Sequence, residues 1–257
     1  MACNLLLRYP IEKEKRSLVM LSVCMATYNG AQTVARQLNS ILPQLDAQDE
    51  VVIVDDRSTD DTVAVIKQTV AASDVHVRLS VNQVNQGPIK SFARALQQAQ
   101  GDLVFLSDQD DIWFEDKVAQ VVAAFQRQHA DLIVHDGVVV DAKQQQIAAS
   151  WNQYNHNQLP QSVTNNLLKN GYTGAMMAVS QRLLQYALPF PEQIEMHDQW
   201  LFLVAQRYHL KTVVLPQPLM NYVRHGDNVT GMQRRGLATM LRGRWRMWRA
   251  YRQLSDK

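Results

Sequence analysis

Two short acidic runs hold the residues of this chain best suited to chemistry. The first is Val54-Asp55-Asp56-Arg57-Ser58-Thr59-Asp60-Asp61 and the second is Ser107-Asp108-Gln109-Asp110-Asp111. Carboxylates so close together repel one another unless a cation or protons neutralise them. Hard divalent cations take oxygen ligands, and Mg²⁺ is typically held by one or two carboxylates together with substrate phosphates. In an extended segment Asp108 and Asp110 project to the same side, so both can face one ligand. The second run equally suits an acidic turn that caps the following helix, and Ser58 or Asp60 is a ready N-cap after the first. Capping leaves Asp55 and Asp56 unaccounted for, because they precede the cap. An EF-hand is excluded, since the twelfth position counted from Asp55 or Asp56 is Ile66 or Lys67, where that loop requires Glu. No P-loop and no G-x-G-x-x-G occurs, which argues against kinase and dinucleotide chemistry. A nucleoside diphosphate bound through a metal bridge fits the two runs better.

The elements around these runs alternate. Continuous apolar segments at 18–26, 50–55, 75–81 and 102–107 read as buried strands. Between and after them, 32–42, 59–72, 88–98 and 115–129 carry helical patterns, with Pro43 stopping the first and Pro88 opening the third. That order predicts an α/β domain with a mostly parallel central sheet and helices on both faces. In such sheets functional groups collect at the carboxyl ends of the strands. The rule selects Thr27, Tyr28 and Asn29, then Asp55 and Asp56, then Ser107 to Asp111. The second half is less regular: a short strand at 131–135, a Gln- and Asn-rich stretch through 166, and a strand at 173–179. A helix at 197–208 and a last strand at 212–215, before Pro216 and Pro218, complete it. Neither a repeat nor a linker divides the chain. The reading is a loose lead over 1–17, one domain over 18–231 and a basic amphipathic C-terminal helix over 232–257.

The ordered motifs resemble family 2 glycosyltransferases. Met25-Ala-Thr-Tyr-Asn-Gly30, the Val-Asp-Asp-x-Ser-x-Asp run at 54–60, Asn85-Gln-Gly87 and Ser107-Asp-Gln-Asp-Asp-Ile-Trp113 carry the likeness. More narrowly, 108–113, His197-Asp-Gln-Trp200 and Tyr222-Val-Arg-His225-Gly-Asp-Asn228-Val-Thr-Gly231 are similar to bacterial rhamnosyltransferases of O-antigen and capsule assembly. The resemblance implies a glycosyltransferase A-type single domain and inverting transfer of rhamnose from a dTDP donor. The alternatives are a UDP-hexose or UDP-N-acetylhexosamine donor, or a non-catalytic sugar-nucleotide-binding assembly subunit. It also implies roles. Thr27, Tyr28, Asn29, Asp55, Asp56 and Asp108 would hold the nucleotide, with Asp110 and His225 on a Mn²⁺ or Mg²⁺ cofactor. Asp198 would be the general base, although on sequence alone it suits a helix cap or first-turn carboxylate as well. Asp111, His197, Asn228 and Gly174 complete the candidates, Gly174 by letting a sugar ring approach the backbone or by marking a bulge.

Composition sets the setting. The 257 residues are 46% hydrophobic and 19% charged, in the normal globular range. Two cysteines, Cys3 and Cys24, are too few for a disulfide framework or zinc site and fit a reducing compartment. No run of about 18 apolar residues suggests a membrane span, so a soluble, cytoplasmic chain is expected. The formal charge of +2 conceals an asymmetry. Arginines 234, 235, 242, 244, 246, 249 and 252 form a tail segment without acids, and the remaining 19 basic residues face 24 acidic ones. A basic helix with Trp245 and Trp248 suits the anionic inner face of a membrane. Packing on its own domain or on a second copy is the alternative. Nucleic acid is not an expected partner, because the acidic body would repel phosphates. A nucleotide-sugar donor and a lipid-linked glycan acceptor are the partners the resemblance implies.

Overall fold

The computed structural model describes residues 19–224 and 236–254. The lead over 1–17, His225 and Asn228 lie outside the described residues. In the first half the chain runs β1 (Leu21–Thr27), α1 (Val34–Ile41), β2 (Glu50–Asp55), α2 (Thr62–Val70), β3 (His76–Val81), α3 (Pro88–Gln98) and β4 (Leu103–Ser107). Next come β5 (Ile112–Trp113), α4 (Lys117–Gln128), β6 (Leu132–Asp141), β7 (Gln146–Ala148), α5 (Trp151–Tyr154) and α6 (Val163–Leu168). A 3-10 turn, Gly174–Met176, leads into β8 (Met177–Ser180), α7 (Gln181–Ala187), α8 (His197–Arg207), β9 (Thr212–Arg224) and α9 (Leu237–Arg252).

The strands form one sheet in the order β3-β2-β1-β4-β8-β6-β9-β5, with β7 on β6. Strands β1 to β4 are mutually parallel, β6 and β9 run the same way, and β8, β5 and β7 run against them. The sheet is therefore mostly parallel, as the alternating elements predict. The apolar runs are continuous because both faces are covered. Val23, Met25, Val51, Ile53, Leu103 and Phe105 enter one layer with Val34, Leu38 and Ile41 of α1 and Val118 and Val121 of α4. Their neighbours Cys24, Val52, Val54, Val104 and Leu106 enter the other, against Phe92, Ala95 and Leu96 of α3 and the apolar residues of α7 and α8. Each such side chain contributes about 1.5–3 kcal/mol on burial.

Several sequence expectations change, among them the strand read over 173–179, which is a 3-10 turn at Gly174–Met176 before β8 begins at Met177. Neither Ser58 nor Asp60 occupies the N-cap of α2; Asp61 does, without a side-chain cap bond. The Ser58 hydroxyl turns back to Asp55, while Asp60 accepts from the Thr62 amide and hydroxyl just beyond the cap. The polar stretch before residue 166 is ordered into β7, α5 and α6, with Ser150 and Ser162 capping the two helices. Finally, β9 passes through Pro216 and Pro218 instead of ending before them. The prolines coincide with a shift in the β6–β9 register, where ladder hydrogen bonds are interrupted.

Order matters for function. The chain leaves β1 for β2 and β3 on one side and returns to β4 on the other. A crevice therefore opens beyond the ends of β1 and β4, where open α/β sheets bind ligands.

Candidate active site

At the ends of β1 and β2 the polar residues mostly shape one another. Thr27 donates its hydroxyl to Asp55 Oδ2 at 2.8 Å, and Ser58 donates its hydroxyl to the same oxygen at 2.6 Å. The Ser58 amide donates to Asp55 Oδ1 at 2.8 Å. Asp55 is fully buried, so its carboxylate frames the loop and does not reach a ligand in this conformation. Asn29 adopts φ 46°, a left-handed conformation that Asn tolerates. From there its Oδ1 accepts from the Thr59 amide at 2.8 Å and its own amide donates to Ser58 Oγ at 2.9 Å. Asp56 gathers the next loop: Asn82 Nδ2 and the Gln86 amide donate to Oδ1, and the Gly87 amide donates to Oδ2. Asp56 is 3% exposed and, like Asp55, holds three donors on its roughly four acceptor positions. Tyr28 stands apart from this frame, 46% exposed at the crevice.

Gln109 ties that crevice shut at its base. Its Oε1 accepts from the Tyr28 amide at 2.9 Å and its Nε2 donates to the Tyr28 carbonyl at 3.0 Å. Gly30 is small for this reason, because a Cβ there would meet Gln109 Oε1 at 2.3 Å. Beside Gln109, Asp108 is half-buried, and burial raises its carboxyl to about 7, helped by the charges of Asp110 and Asp198. Asp111 is buried and accepts from the Val223 amide at 3.0 Å through Oδ1, while its Oδ2 has no hydrogen-bond partner among the described residues. Burial, then Asp110 and Asp108, hold Asp111 well above the carboxylate range. Arg36 donates to the Asp110 carbonyl at 2.9 Å and fixes the turn from α1.

Lys117 lies beneath these carboxylates, with no exposed surface. Its Nζ donates to the Ala175 carbonyl at 3.0 Å, lies 3.5 Å from Met220 Sδ and sits 4.1 Å from the Trp113 ring centroid. Burial lowers it to about 7, against the pull of Asp111 and Asp108. Among the described residues no three acidic or imidazole groups form a ready-made metal cage. The oxygen-only donors, their mutual repulsion and the orphaned Asp111 Oδ2 nevertheless fit a hard divalent cation whose shell is completed by substrate phosphates.

The opposite wall comes from α8 and the 3-10 turn. Met196, not Asp198, is the N-cap residue of α8; Asp198 lies in the first turn, where the helix dipole favours its charge. Its Oδ1 accepts from Asn170 Nδ2 at 3.0 Å and from the Gln199 amide at 2.6 Å, and the Gly174 backbone bonds it as well. Burial raises Asp198 to about 6, and these hydrogen bonds oppose the rise. His197 stacks on Phe92 with ring centroids 4.5 Å apart, and burial lowers it to about 4, so the ring is neutral near pH 7. Its Nε2, without a hydrogen-bond partner among the described residues, faces Gly174, where a Cβ would come within 2.5 Å of it. The space at Gly174 is thus filled by His197, and the glycine is neither an opening for a sugar ring nor a bulge.

The fold therefore brings Tyr28, Asp56, Asp108, Asp110, Asp111 and Asp198 to one end of the sheet. Gln109, Lys117 and Asn170 belong to the same constellation but are not evident in the sequence. Lys117 alone left a signal, since it shares the buried face of α4 with Val121 and Ala124.

The family model described as glycosyl transferase family 2 matches residues 22–187. The UDP-Glc:alpha-D-GlcNAc-diphosphoundecaprenol beta-1,3-glucosyltransferase WfgD of Escherichia coli is 26% identical over 72% of this chain and 68% of its own length. The dTDP-rhamnosyl transferase RfbG of Shigella flexneri is 37% identical, over 38% of this chain and 35% of its own. Several curated relatives are matched over less than half of their length. Among solved structures, residues 1–349 of Staphylococcus aureus TarS in complex with UDP-GlcNAc superpose with a TM-score of 0.70 at 20% identity. That match covers 93% of this chain and 68% of the other and supports the glycosyltransferase A-type fold.

Proposed function

Because this chain belongs to glycosyl transferase family 2, we propose that it is an inverting, metal-dependent transferase. It would move a deoxysugar, rhamnose from dTDP-rhamnose, onto a lipid-linked surface glycan. One observation carries the reading: Asp198 is buried in the first turn of α8, its carboxylate held by Asn170 and the Gln199 amide, and burial raises it to about 6. A group that must take a proton works best with a pKa near the working pH.

In this mechanism Tyr28 and Asp56 receive the nucleoside base, framed by Thr27, Asn29 and Asp55. Asp108 meets the ribose and diphosphate end of the donor. Asp110, with Asp111 behind it, would hold Mn²⁺ or Mg²⁺, and His225 and Asn228 belong to the same set by motif. The cation, when bound, supplies Lewis-acid neutralisation of the departing diphosphate. Asp198 removes the proton of the acceptor hydroxyl as that oxygen attacks the sugar from the face opposite the leaving group. Asn170 and the Gly174 backbone orient the Asp198 carboxylate, and neutral His197 packs its helix against Phe92.

The 37% identity to a dTDP-rhamnosyl transferase over 38% of this chain supports the donor, and likeness to a glucosyltransferase acting on a diphosphoundecaprenol-linked sugar supports a lipid-linked acceptor. The second reading, a UDP-hexose or UDP-N-acetylhexosamine donor, is favoured by the TarS likeness, and Asp56 can pair with N3-H of uracil or thymine alike. A non-catalytic binding subunit would not need the oriented Asp198. The transferase unit spans 18–231, and the basic segment 232–257 is an appendage to it.

Calorimetry with dTDP-rhamnose, UDP-glucose and UDP-N-acetylglucosamine, with Mn²⁺ and again with EDTA, tests the donor. Metal-dependent binding of dTDP-rhamnose alone is the expected result. Asp198→Asn should lower turnover by about 10²–10⁴-fold while leaving that binding intact. Undiminished turnover would remove the base assignment.

A further inference from the structure

Helix α9 carries two apolar stripes on opposite faces. Gly243, Met247, Ala250 and, beyond the helix, Leu254 recur at the spacing of one helical face, and they turn inward onto the protein. Leu241, Trp245 and Trp248 recur with the same spacing on the other face and are 61%, 54% and 46% exposed. The inner stripe accounts for the docking of α9 on α6 and α8. Gly243 lets the Glu195 carboxylate approach the helix, where a Cβ would lie 2.2 Å from it, and Arg246 comes within 4.0 Å of the same carboxylate. Among the described residues the outer stripe has no such use. It is flanked by exposed Arg242, Arg249 and Arg252, of which Arg249 lies 5.4 Å from the Trp245 ring centroid and Arg252 5.5 Å from that of Trp248.

We propose that this outer stripe docks on an anionic lipid bilayer, with Trp245, Trp248 and Leu241 at the headgroup boundary and the arginines on lipid phosphates. Two tryptophans beside arginines, with no acid on the helix, are complementary to that surface. The inner stripe makes the attachment rigid. It grips the segment around Glu195, three positions before Asp198, so the Asp198 wall of the crevice is mechanically joined to the membrane-facing helix. A lipid-anchored acceptor would meet that wall first. The proposal uses the transferase reading for its purpose only, because lipid binding needs neither donor nor acceptor.

Cosedimentation of the full chain with phosphatidylglycerol-containing vesicles, and with pure phosphatidylcholine vesicles, tests it. Binding should be confined to the anionic vesicles and fall as salt rises from about 0.1 to 0.5 M. The double variant Trp245→Ala/Trp248→Ala should lose about tenfold in partitioning, and Arg242→Gln/Arg249→Gln/Arg252→Gln should lose the preference for anionic lipid. These side chains are exposed, so unchanged circular dichroism and unchanged donor calorimetry would show that fold and site persist. Equal sedimentation of parent and Trp variant would overturn the proposal, as would no sedimentation at all. A dimer in light scattering that the Trp variant converts to monomer, without vesicle binding, would also overturn it by assigning the stripe to a second copy.

Discussion

Lys117 and Asn170 show how individual residues tune carboxylates they do not resemble. Lys117 is fully buried among a carbonyl, a thioether and an indole face, and its charge acts on Asp108 and Asp111 nearby. Lys117→Met should raise both carboxyls further and weaken metal-dependent donor binding about tenfold. Cation binding needs deprotonated ligands, and Lys117 itself is charged mainly below about 7. Calorimetry should therefore show a larger loss at pH 6 than at pH 8. Asn170 acts in the same sense on Asp198, since its amide also stabilises the charged form. For the parent protein saturated with donor and metal, log kcat should rise with pH and level off above about 6, where Asp198 is deprotonated. Asn170→Ala removes a stabilising donor, so the same limb should move to higher pH, whereas a purely structural loss would lower the plateau and leave the limb in place. The acidic runs were legible in the sequence because like charges at a strand end call for an explanation. Asn170 was not, because an amide in a polar loop looks the same whether or not it holds a base.

At the scale of elements, the Gly174–Met176 turn and the start of α8 form one unit. The missing side chain of Gly174 admits the His197 ring, that ring stacks on Phe92 of α3, and the Gly174 backbone bonds Asp198. Gly174→Ala would push a Cβ against the His197 ring, an overpacking that typically costs about 1–3 kcal/mol. A lowered urea midpoint together with a fall in kcat greater than the change in donor affinity should result. Normal kcat in a destabilised protein would separate the turn from catalysis. Periodicity located α3 and β2 at their observed bounds, because both answer to a clear buried face or a turn-opening residue. It failed at β9, where Pro216 and Pro218 read as a stop. A proline breaks a strand only if its partner strand demands the missing N–H, and the partner's register is set far away in the chain.

At the scale of the whole molecule, one sheet holds a donor side, at the ends of β1, β2 and β4, and an acceptor side on α8, with α9 riding on the latter. Deleting residues 236–257 should expose the apolar surface under Met247 and Ala250 and lower the melting temperature. The outer-stripe tryptophan variant should melt like the parent, and scanning calorimetry of both distinguishes the two stripes. The acid runs, the strand–helix alternation and the basic tail were determined by sequence alone, since each is local: charge repulsion, hydrophobic period and composition do not depend on distant partners. A helical wheel of that tail groups Met247 with Trp248, yet the structure buries the first and exposes the second. Only the tertiary structure decided that split, the burial of Asp55 inside its own loop, the filling of Gly174 by His197 and the meeting of Asp108 with Asp198. Each depends on which surfaces lie face to face, and sequence spacing carries no information about a neighbour ninety residues away.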